Sequence, residues 1–285
     1  MENRWSRDLV REPVVEGLFY PDEPKSLLDG IRKNLQNART VAGKVRGIIV
    51  PNASFQFISS YSAEAFKRAS TGDYQRVVIL APWRGETRDA FLLPESTLFR
   101  TPLGISRVDA TAMEILFSSS TTADISEVIH LQEHGIEVQL PWIQAAFPEA
   151  EIVPILSNAT GIVGVKALAS ALKALELESP RPTLYVASIN LTPALPSDLA
   201  ASQSGELINY LLEGRWEEML AARRRGELAS PGVAAAAALC ILLHRQQRLE
   251  ILLRGNSREY DKNDSSVVEY ASMSYEEALS SGGQA

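Results

Sequence analysis

The sequence predicts an α/β protein whose mostly parallel sheet carries helices on both faces. Short, almost uninterrupted runs of apolar and β-branched residues recur along the chain, as in strands that are buried on both sides. Segments with helical spacing of apolar residues separate these runs, which is typical of parallel strands joined by helices. Hydrophobic residues make up 45% of the 285 residues and charged residues 22%, so a large buried core is possible.

The first predicted elements are two strands with a helix between them. Residues 47–50 and 76–81 are apolar runs of strand length, and residues 59–69 show the apolar spacing of a helix. Asn52 follows the first strand and Arg84 follows the second, each shortly after a proline. Because proline and asparagine favour turns, both strands are predicted to end at these positions.

The second half of the chain continues the alternation and closes with a helix and a pair of strands. The predicted elements are strand 151–156, helix 163–175, strand 183–188, helix 233–245, and strands 248–254 and 265–272. Neither a repeat nor a linker interrupts the pattern, so one α/β domain is expected over residues 1–285. Residues 1–10 and 276–285 are expected to be flexible ends.

Composition excludes several classes of protein. The 28 Lys and Arg residues against 35 Asp and Glu residues give a net charge of −7, which opposes binding to nucleic acid or to an anionic membrane. Cys240 is the one cysteine, so neither an intrachain disulfide framework nor a cysteine-rich zinc site is possible. Residues 1–13 resemble no signal peptide, and the longest apolar run, 233–243, is too short to span a membrane. We therefore expect a soluble, cytoplasmic protein.

Three loops follow the carboxyl ends of predicted parallel strands. They contain Asn52, Arg84 and residues 190–193, the last of which begins with Asn190 and ends with Pro193. Ligands of open α/β sheets bind beyond these strand ends, so the three loops are candidates for one site. The alternative is that these residues only form turns.

The sequence H-L-Q-E-H at residues 130–134 fits the pattern H-x-x-E-H. On a continuous helix, His130 and His134 would face the same way and could bind Zn²⁺, with Glu133 as general base. A third ligand would be Glu206 or Glu213. The alternative is a polar network under the strand ends that includes His134 and Glu137.

Eight segments, taken in order, resemble the Memo family, which is protein B of the AmmeMemoRadiSam systems. They are R-E-P-V-V-E-G-L-F-Y-P at residues 11–21, V-P-N-A at 50–53, I-L-A-P-W-R at 79–84, T-P-L-G at 101–104, E-H-G-I-E-V-Q-L-P-W at 133–142, I-V-P-I at 152–155, V-A-S-I-N-L-T-P at 186–193 and V-V-E-Y-A-S at 267–272. The resemblance covers nearly the whole chain. It implies a fold similar to class III (LigB-type) non-haem-iron dioxygenases.

The resemblance also implies a pocket in which three histidines and a nearby cysteine can hold a metal. In this chain the three histidine positions are occupied by Asn52, Arg84 and Pro193. Asn190 replaces the aspartate before the third histidine, and the cysteine falls loosely at Pro231. At positions 134 and 137, this chain has the same residue types as the family pattern, His134 and Glu137.

These replacements predict a metal-free pocket, because Asn is a weak ligand, Pro has no side-chain donor and Arg is a permanent cation. The first hypothesis is an Arg84–Glu137 pair that fills the pocket. The second is a carboxylate or phosphate ligand on Arg84, with Asn52 and His134 as donors. The predicted pocket residues are Asn52, Arg84, His134, Glu137 and Asn190.

The sequence therefore favours a pseudoenzyme of the Memo family without a cofactor, which acts as a binding or scaffold protein. One alternative is an enzyme that uses His134 and Glu137 as acid and base on an anionic substrate held by Arg84. Another is a residual metalloenzyme through His130 and His134. A small anion or a protein is the expected partner. The family resemblance also implies a radical-SAM or AMMECR-type protein as a possible partner.

Overall fold

The computed structural model describes residues 4–260 and 265–277. Within them, the strands are β1 Val10–Arg11, β2 Val45–Val50, β3 Arg76–Ala81, β4 Phe91–Leu93, β5 Leu98–Thr101, β6 Gly104–Arg107, β7 Ala123–Ile125, β8 Glu151–Ser157, β9 Thr183–Ser188, β10 Gln247–Asn256 and β11 Glu269–Glu277. The helices are α1 Pro24–Asn37, α2 Phe55–Ala69, α3 Ala110–Ser118, α4 Glu127–Gln132, α5 Leu140–Ala146, α6 Ile162–Glu178, α7 Ser197–Leu212, α8 Trp216–Arg224 and α9 Val233–Leu243. Short 3₁₀ turns lie at Arg4–Ser6, Glu137–Gln139 and Ser257–Glu259.

The larger sheet has the strand order β10-β11-β2-β9-β3-β8-β4-β7. Its four central strands, β2, β9, β3 and β8, are parallel, and Ile48, Val186, Ile79 and Pro154 lie side by side across them. The antiparallel pair β10 and β11 flanks one side, and β4 with β7 flanks the other. The carboxyl ends of the four central strands therefore meet at one edge of the sheet.

Helices cover both faces of this sheet, which confirms the predicted fold class. Helix α2 packs against β2 and β11, with α1 and α5 beside it, and α9 packs against β2 and β9, with α6 and α8 beside it. A Cβ atom on Gly47 of β2 would lie 2.6 Å from a methyl carbon of Leu243 in α9. Glycine at this position thus lets α9 approach the sheet closely.

Burial explains why the strands were predictable from their composition. All six residues of β3 are buried, as expected for a strand covered on both faces. Helix α9 is apolar on all sides and lies within the core, which matches its sequence. A second, three-stranded sheet has the order β1-β5-β6 and was not predicted, because its strands are only two to four residues long.

Several predicted boundaries shift. Helix α2 begins at Phe55 rather than at residue 59, since Ser54 has an extended backbone and the Phe55 N–H donates to the carbonyl of Phe19. The last strand begins at Glu269 rather than at residue 265, because Val267 forms an isolated bridge with Leu195.

The ends of the chain are more ordered than expected where the structure describes them. The Trp5 side chain is buried, and its indole N–H donates to the carbonyl of Pro94 at 2.7 Å. Glu276, at the other end, is paired with Arg68. The expectation of flexible ends at residues 1–3 and 278–285 lies outside the described residues. Among the helices that are described, none has the length and apolar character needed to cross a membrane.

Candidate functional site

The loops after β2 and β9 are joined directly to each other. The backbone N–H of Asn52 donates to Asn190 Oδ1 at 2.9 Å, and Asn190 Nδ2 donates to the Asn52 carbonyl at 3.2 Å. Asn52 Nδ2 donates to the carbonyl of Ser188 at 2.7 Å. The two strand ends thus lie against each other, and both amide side chains serve to fix the loops.

A loop that contains His134 and Gly135 crosses these strand ends. Ser188 Oγ donates to the Gly135 carbonyl at 2.5 Å, and Gln139 Nε2 donates to the Pro51 carbonyl and to Ser188 Oγ, both at 2.9 Å. A Cβ atom on Gly135 would lie 3.0 Å from the Cβ of Ala81. The absence of a side chain at Gly135 therefore allows the loop to lie directly on the end of β3.

Arg84, after β3, contacts both Glu133 and His134 in this loop. Its backbone N–H donates to Glu133 Oε1, and its Nη1 lies 3.3 Å from Glu133 Oε2. Nη1 is also 3.0 Å from His134 Nδ1, and Nη2 is 3.1 Å from His134 Nε2. The guanidinium therefore lies along the imidazole ring. The side chain of Arg84 is 56% exposed, whereas that of Glu133 is 7% exposed.

Burial and charge determine the protonation of this cluster. Burial, and then the charge of Arg84, lowers the pKa of His134 to about 4, against weaker opposing effects of the Asn52 backbone and Glu137. His134 is therefore neutral at pH 7. Burial raises the pKa of Glu133, and the backbone hydrogen bond and charge of Arg84 oppose this rise.

Glu137 points away from the cluster, toward the N-terminal segment. Its carboxylate accepts from Arg11 Nη1 at 2.7 Å and from Tyr20 Oη at 2.8 Å. The backbone N–H groups of Val14 and Val15 donate to it at 3.0 and 2.9 Å. Because Glu137 and Arg11 are both buried, this is an ion pair shielded from solvent.

The predicted Arg84–Glu137 pair is therefore wrong, and Glu133 is the partner of Arg84. Residues 133–137 pass over the strand ends in such a way that Glu133 turns toward β3 and Glu137 toward the N-terminal segment. That hypothesis also required a buried Arg84, whereas the side chain of Arg84 is largely exposed. Four of the five predicted pocket residues lie at the same edge of the sheet, namely Asn52, Arg84, His134 and Asn190. Glu137 is directed away from them, toward the N-terminal segment.

The H-x-x-E-H zinc site, which the sequence left as an alternative, does not form. Helix α4 ends at Gln132, and Glu133 has an extended backbone, so His130 and His134 do not share a helix face. His130 is buried, its Nε2 lies 3.0 Å from the Leu92 carbonyl, and burial lowers its pKa to about 3. The suggested third ligands have other partners, since Glu206 accepts from Tyr210 and Glu213 pairs with Arg215.

The residues present do not fit the metal that the resemblance implies. Pro193 and Pro231 offer no side-chain donor, the Asn52 amide is used in the loop, and Arg84 brings a positive charge. Ser230 Oγ donates to the Asn190 carbonyl at 2.7 Å, so the turn that contains Pro231 does lie beside the end of β9. Within residues 4–260 and 265–277, no group of three His, Cys, Asp or Glu side chains could hold a metal ion.

Two residues of the site were missed in the sequence. Asn158 Nδ2 donates to the carbonyls of Gly85 and Glu86 at 3.3 and 3.0 Å and so fixes the loop that carries Arg84. Its position just after β8 is the same signal that marked Asn52. Phe19 packs on His134 with ring centroids 4.7 Å apart, and no sequence spacing predicts this contact.

A family model described as "Memo-like protein" matches residues 11–274. A MEMO1 family protein of Nitrosopumilus maritimus is 26% identical over 277 residues, which is 94% of this chain and 100% of the relative. A MEMO1 family protein of Thermotoga maritima is 34% identical over 196 residues, or 64% of this chain and 70% of the relative. The solved structure of an uncharacterized Escherichia coli K12 protein, JW3007, has a TM-score of 0.48 and 12% identity, with coverage of 81% of this chain and 99% of that one. Because the family model matches a span of 264 residues, which is most of the chain, the chain belongs to the Memo-like protein family.

Proposed function

We propose that this chain is a single-domain Memo-family protein that binds a partner without metal chemistry at its strand-end site, which comprises Asn52, Arg84, His134 and Asn190. The observation that carries the proposal is the position of Arg84. Where the family resemblance expects the second metal-binding histidine, a guanidinium lies against His134 and is ion-paired with Glu133. The polar groups of this cluster contact one another at the centre of the site through hydrogen bonds and an ion pair.

The electrostatics of Arg84 support a metal-free site. A guanidinium is a permanent cation, so it repels a divalent cation. The shift of the His134 pKa to about 4 leaves a neutral imidazole, but its two nitrogens both face Arg84. A metal would have to displace the guanidinium and break its pair with Glu133.

The same contacts support binding rather than acid–base catalysis. Glu137, one member of the acid/base pair in the enzyme hypothesis, is fully buried and accepts hydrogen bonds from four residues of the N-terminal segment. It is therefore not available to a substrate on the His134 side. Arg84, which is half-exposed, offers a charged surface for a small anion or an acidic protein segment. A radical-SAM or AMMECR-type partner is proposed by family analogy alone.

Elemental analysis of the purified protein, followed by titration with Fe²⁺, Cu²⁺ and Zn²⁺ in a calorimeter, tests the proposal. The control is the triple variant Asn52→His, Arg84→His and Pro193→His, which restores an imidazole at each family position. We expect no stoichiometric metal and no saturable binding in the natural chain, and saturable binding in the triple variant. Near-stoichiometric metal in the natural chain would overturn the proposal.

A further inference from the structure

Residues 11–20, here called the N-terminal strap, lie across the site and are held by both polar and apolar contacts. The side chains of Val14 and Leu18 point outward and are 43% and 76% exposed. On the side facing α1 and α2, the strap borders a cavity of about 650 Å³ that Leu18, Phe19 and Tyr20 help to line. Tyr20 is buried in the core, and Val15 and Phe19 pack against it, so the apolar attachment of the strap is concentrated at these residues and its outer turn is exposed.

The two ends of the strap meet at the carboxylate of Glu137, and Arg11 also donates to the carbonyls of His130 and Glu133, each at 3.1 Å. Arg11 and Tyr20 both donate to Glu137, at 2.7 and 2.8 Å, and the backbone between them adds the N–H groups of Val14 and Val15. Between these anchors the chain turns at Gly17, where φ is +73° and a side chain would be strained. Glu137 thus acts as a latch whose partners all belong to the strap.

The strap covers His134 through Phe19. The Phe19 ring packs on the imidazole, and the Phe19 carbonyl accepts from the Phe55 N–H at 2.7 Å and from Ser54 Oγ at 3.2 Å. Arg84 lies against the same imidazole. Access to His134 from the strap side is therefore controlled by the position of Phe19.

We propose that the N-terminal strap is a lid over His134, latched by Glu137, which opens locally while the large sheet stays folded. Opening moves Phe19 toward the neighbouring cavity and uncovers the ring of His134 for a partner. The inference rests on the proposed function, since it assumes that the strand-end site binds this partner. Metal titration tests the metal-free site and the experiment below tests the lid, so that either can fail alone.

Trypsin cleavage after Arg11 measures opening, because the Arg11 side chain is buried and must leave Glu137 and the carbonyls of His130 and Glu133 before it can enter a protease. Cleavage after Arg76 is the internal reference, since this residue is buried in β3 and paired with Asp109 at 2.8 Å. We expect Glu137→Gln to increase cleavage after Arg11 by about tenfold or more, as loss of a buried charge-assisted contact should do, and to leave cleavage after Arg76 within about twofold.

The matched control is Asp109→Asn, which removes the charge of another buried carboxylate paired with a buried arginine. In this variant, the two cleavage rates should rise together through global unfolding. In Glu137→Gln, a soluble gadolinium chelate should also broaden the ring signals of His134 more than in the natural chain, with buried His130 unaffected. If Glu137→Gln does not fold, Tyr20→Phe removes one latch bond and should give a smaller but selective increase after Arg11.

The lid is overturned if cleavage after Arg11 in the folded latch variant stays within about twofold of the natural rate. It is also overturned if cleavage after Arg11 and Arg76 rises equally in Glu137→Gln, because opening would then be global unfolding. A selective rise after Arg11 without increased broadening at His134 would contradict the covering role of Phe19.

Discussion

The guanidinium of Arg84 lies along the imidazole of His134, with Nη1 3.0 Å from Nδ1 and Nη2 3.1 Å from Nε2. A neutral imidazole has one nitrogen that accepts, so at most one of these contacts is a hydrogen bond and the other is a close approach. Phe19 also packs on His134, with ring centroids 4.7 Å apart. His134 thus contacts both a cation and an aromatic ring.

Replacing Arg84 by glutamine should raise the pKa of His134 from its value of about 4, because a nearby positive charge disfavours the imidazolium. Burial is the larger cause of the low value, so the pKa should stay below the ordinary 6.5. NMR titration of the ring protons measures it. Arg88→Gln, which removes an exposed arginine of the same loop, is the control and should leave the titration unchanged. An unchanged pKa in Arg84→Gln would show that the arginine is not the neighbour of the ring in solution.

Replacing Arg84 by histidine alone should not create a metal site. The new imidazole would join His134, but Asn52 and Pro193 would still supply no strong ligand. Titration with Fe²⁺ and Cu²⁺ should therefore show no tight saturable binding. The triple variant with histidines at positions 52, 84 and 193 is the positive control. Tight binding by the single variant would mean that Pro193 is not the position of the third ligand.

Much of this site follows from the sequence, because strand ends can be located from apolar runs. Asn52, Arg84 and Asn190 each follow a buried parallel strand, and the sheet brings them together. The sequence did not identify Glu133 as the partner of Arg84. Whether Glu133 or Glu137 faces Arg84 depends on where helix α4 ends.

Long-range packing accounts for what the sequence did not reveal. Phe19 and His134 are 115 positions apart, and neither belongs to a periodic segment that would predict their contact. The partners of Glu137 are similarly distant in the sequence, at 117 to 126 positions. Motif matching identified both segments but not their contact, because a motif does not specify which way each side chain turns.

The free energy of unfolding should fall as the pH decreases from 6.5 toward 4. His130 and His134 have folded-state pKa values of about 3 and about 4, well below the ordinary 6.5, so the unfolded chain binds more protons in this range. Each contributes a slope of up to about 1.4 kcal/mol per pH unit. The raised pKa of Glu133 acts in the opposite direction. Urea unfolding at pH 7, 6 and 5 measures the slope.

The variant His134→Asn separates the two histidines. It should reduce the pH dependence between pH 6.5 and 4 and leave the contribution of His130, which is buried behind the site. Equal slopes in the variant and in the natural chain would contradict the low pKa of His134.

Replacing Gly135 by alanine should destabilise the fold and displace the loop that carries His134. The new methyl group would lie 3.0 Å from the Cβ of Ala81 and 3.3 Å from Asn52 Nδ2, closer than packed carbon atoms normally come. Because Ser188 and Gln139 hold the loop against the strand ends, it cannot retreat without breaking buried hydrogen bonds. We expect a loss of about 1–3 kcal/mol in the free energy of unfolding.

Gly30→Ala is the matched control for this substitution. Gly30 lies within helix α1, and no heavy atom lies within 4 Å of the position that its Cβ would occupy. Alanine there should stabilise the protein by about 0.5–1 kcal/mol, since glycine is unfavourable inside a helix. Urea unfolding of the two variants should thus shift in opposite directions, and the NMR signals of the His134 ring should move in Gly135→Ala alone. A Gly135→Ala variant as stable as the natural chain would mean that the loop does not rest on β3 as closely as its hydrogen bonds to Ser188 require.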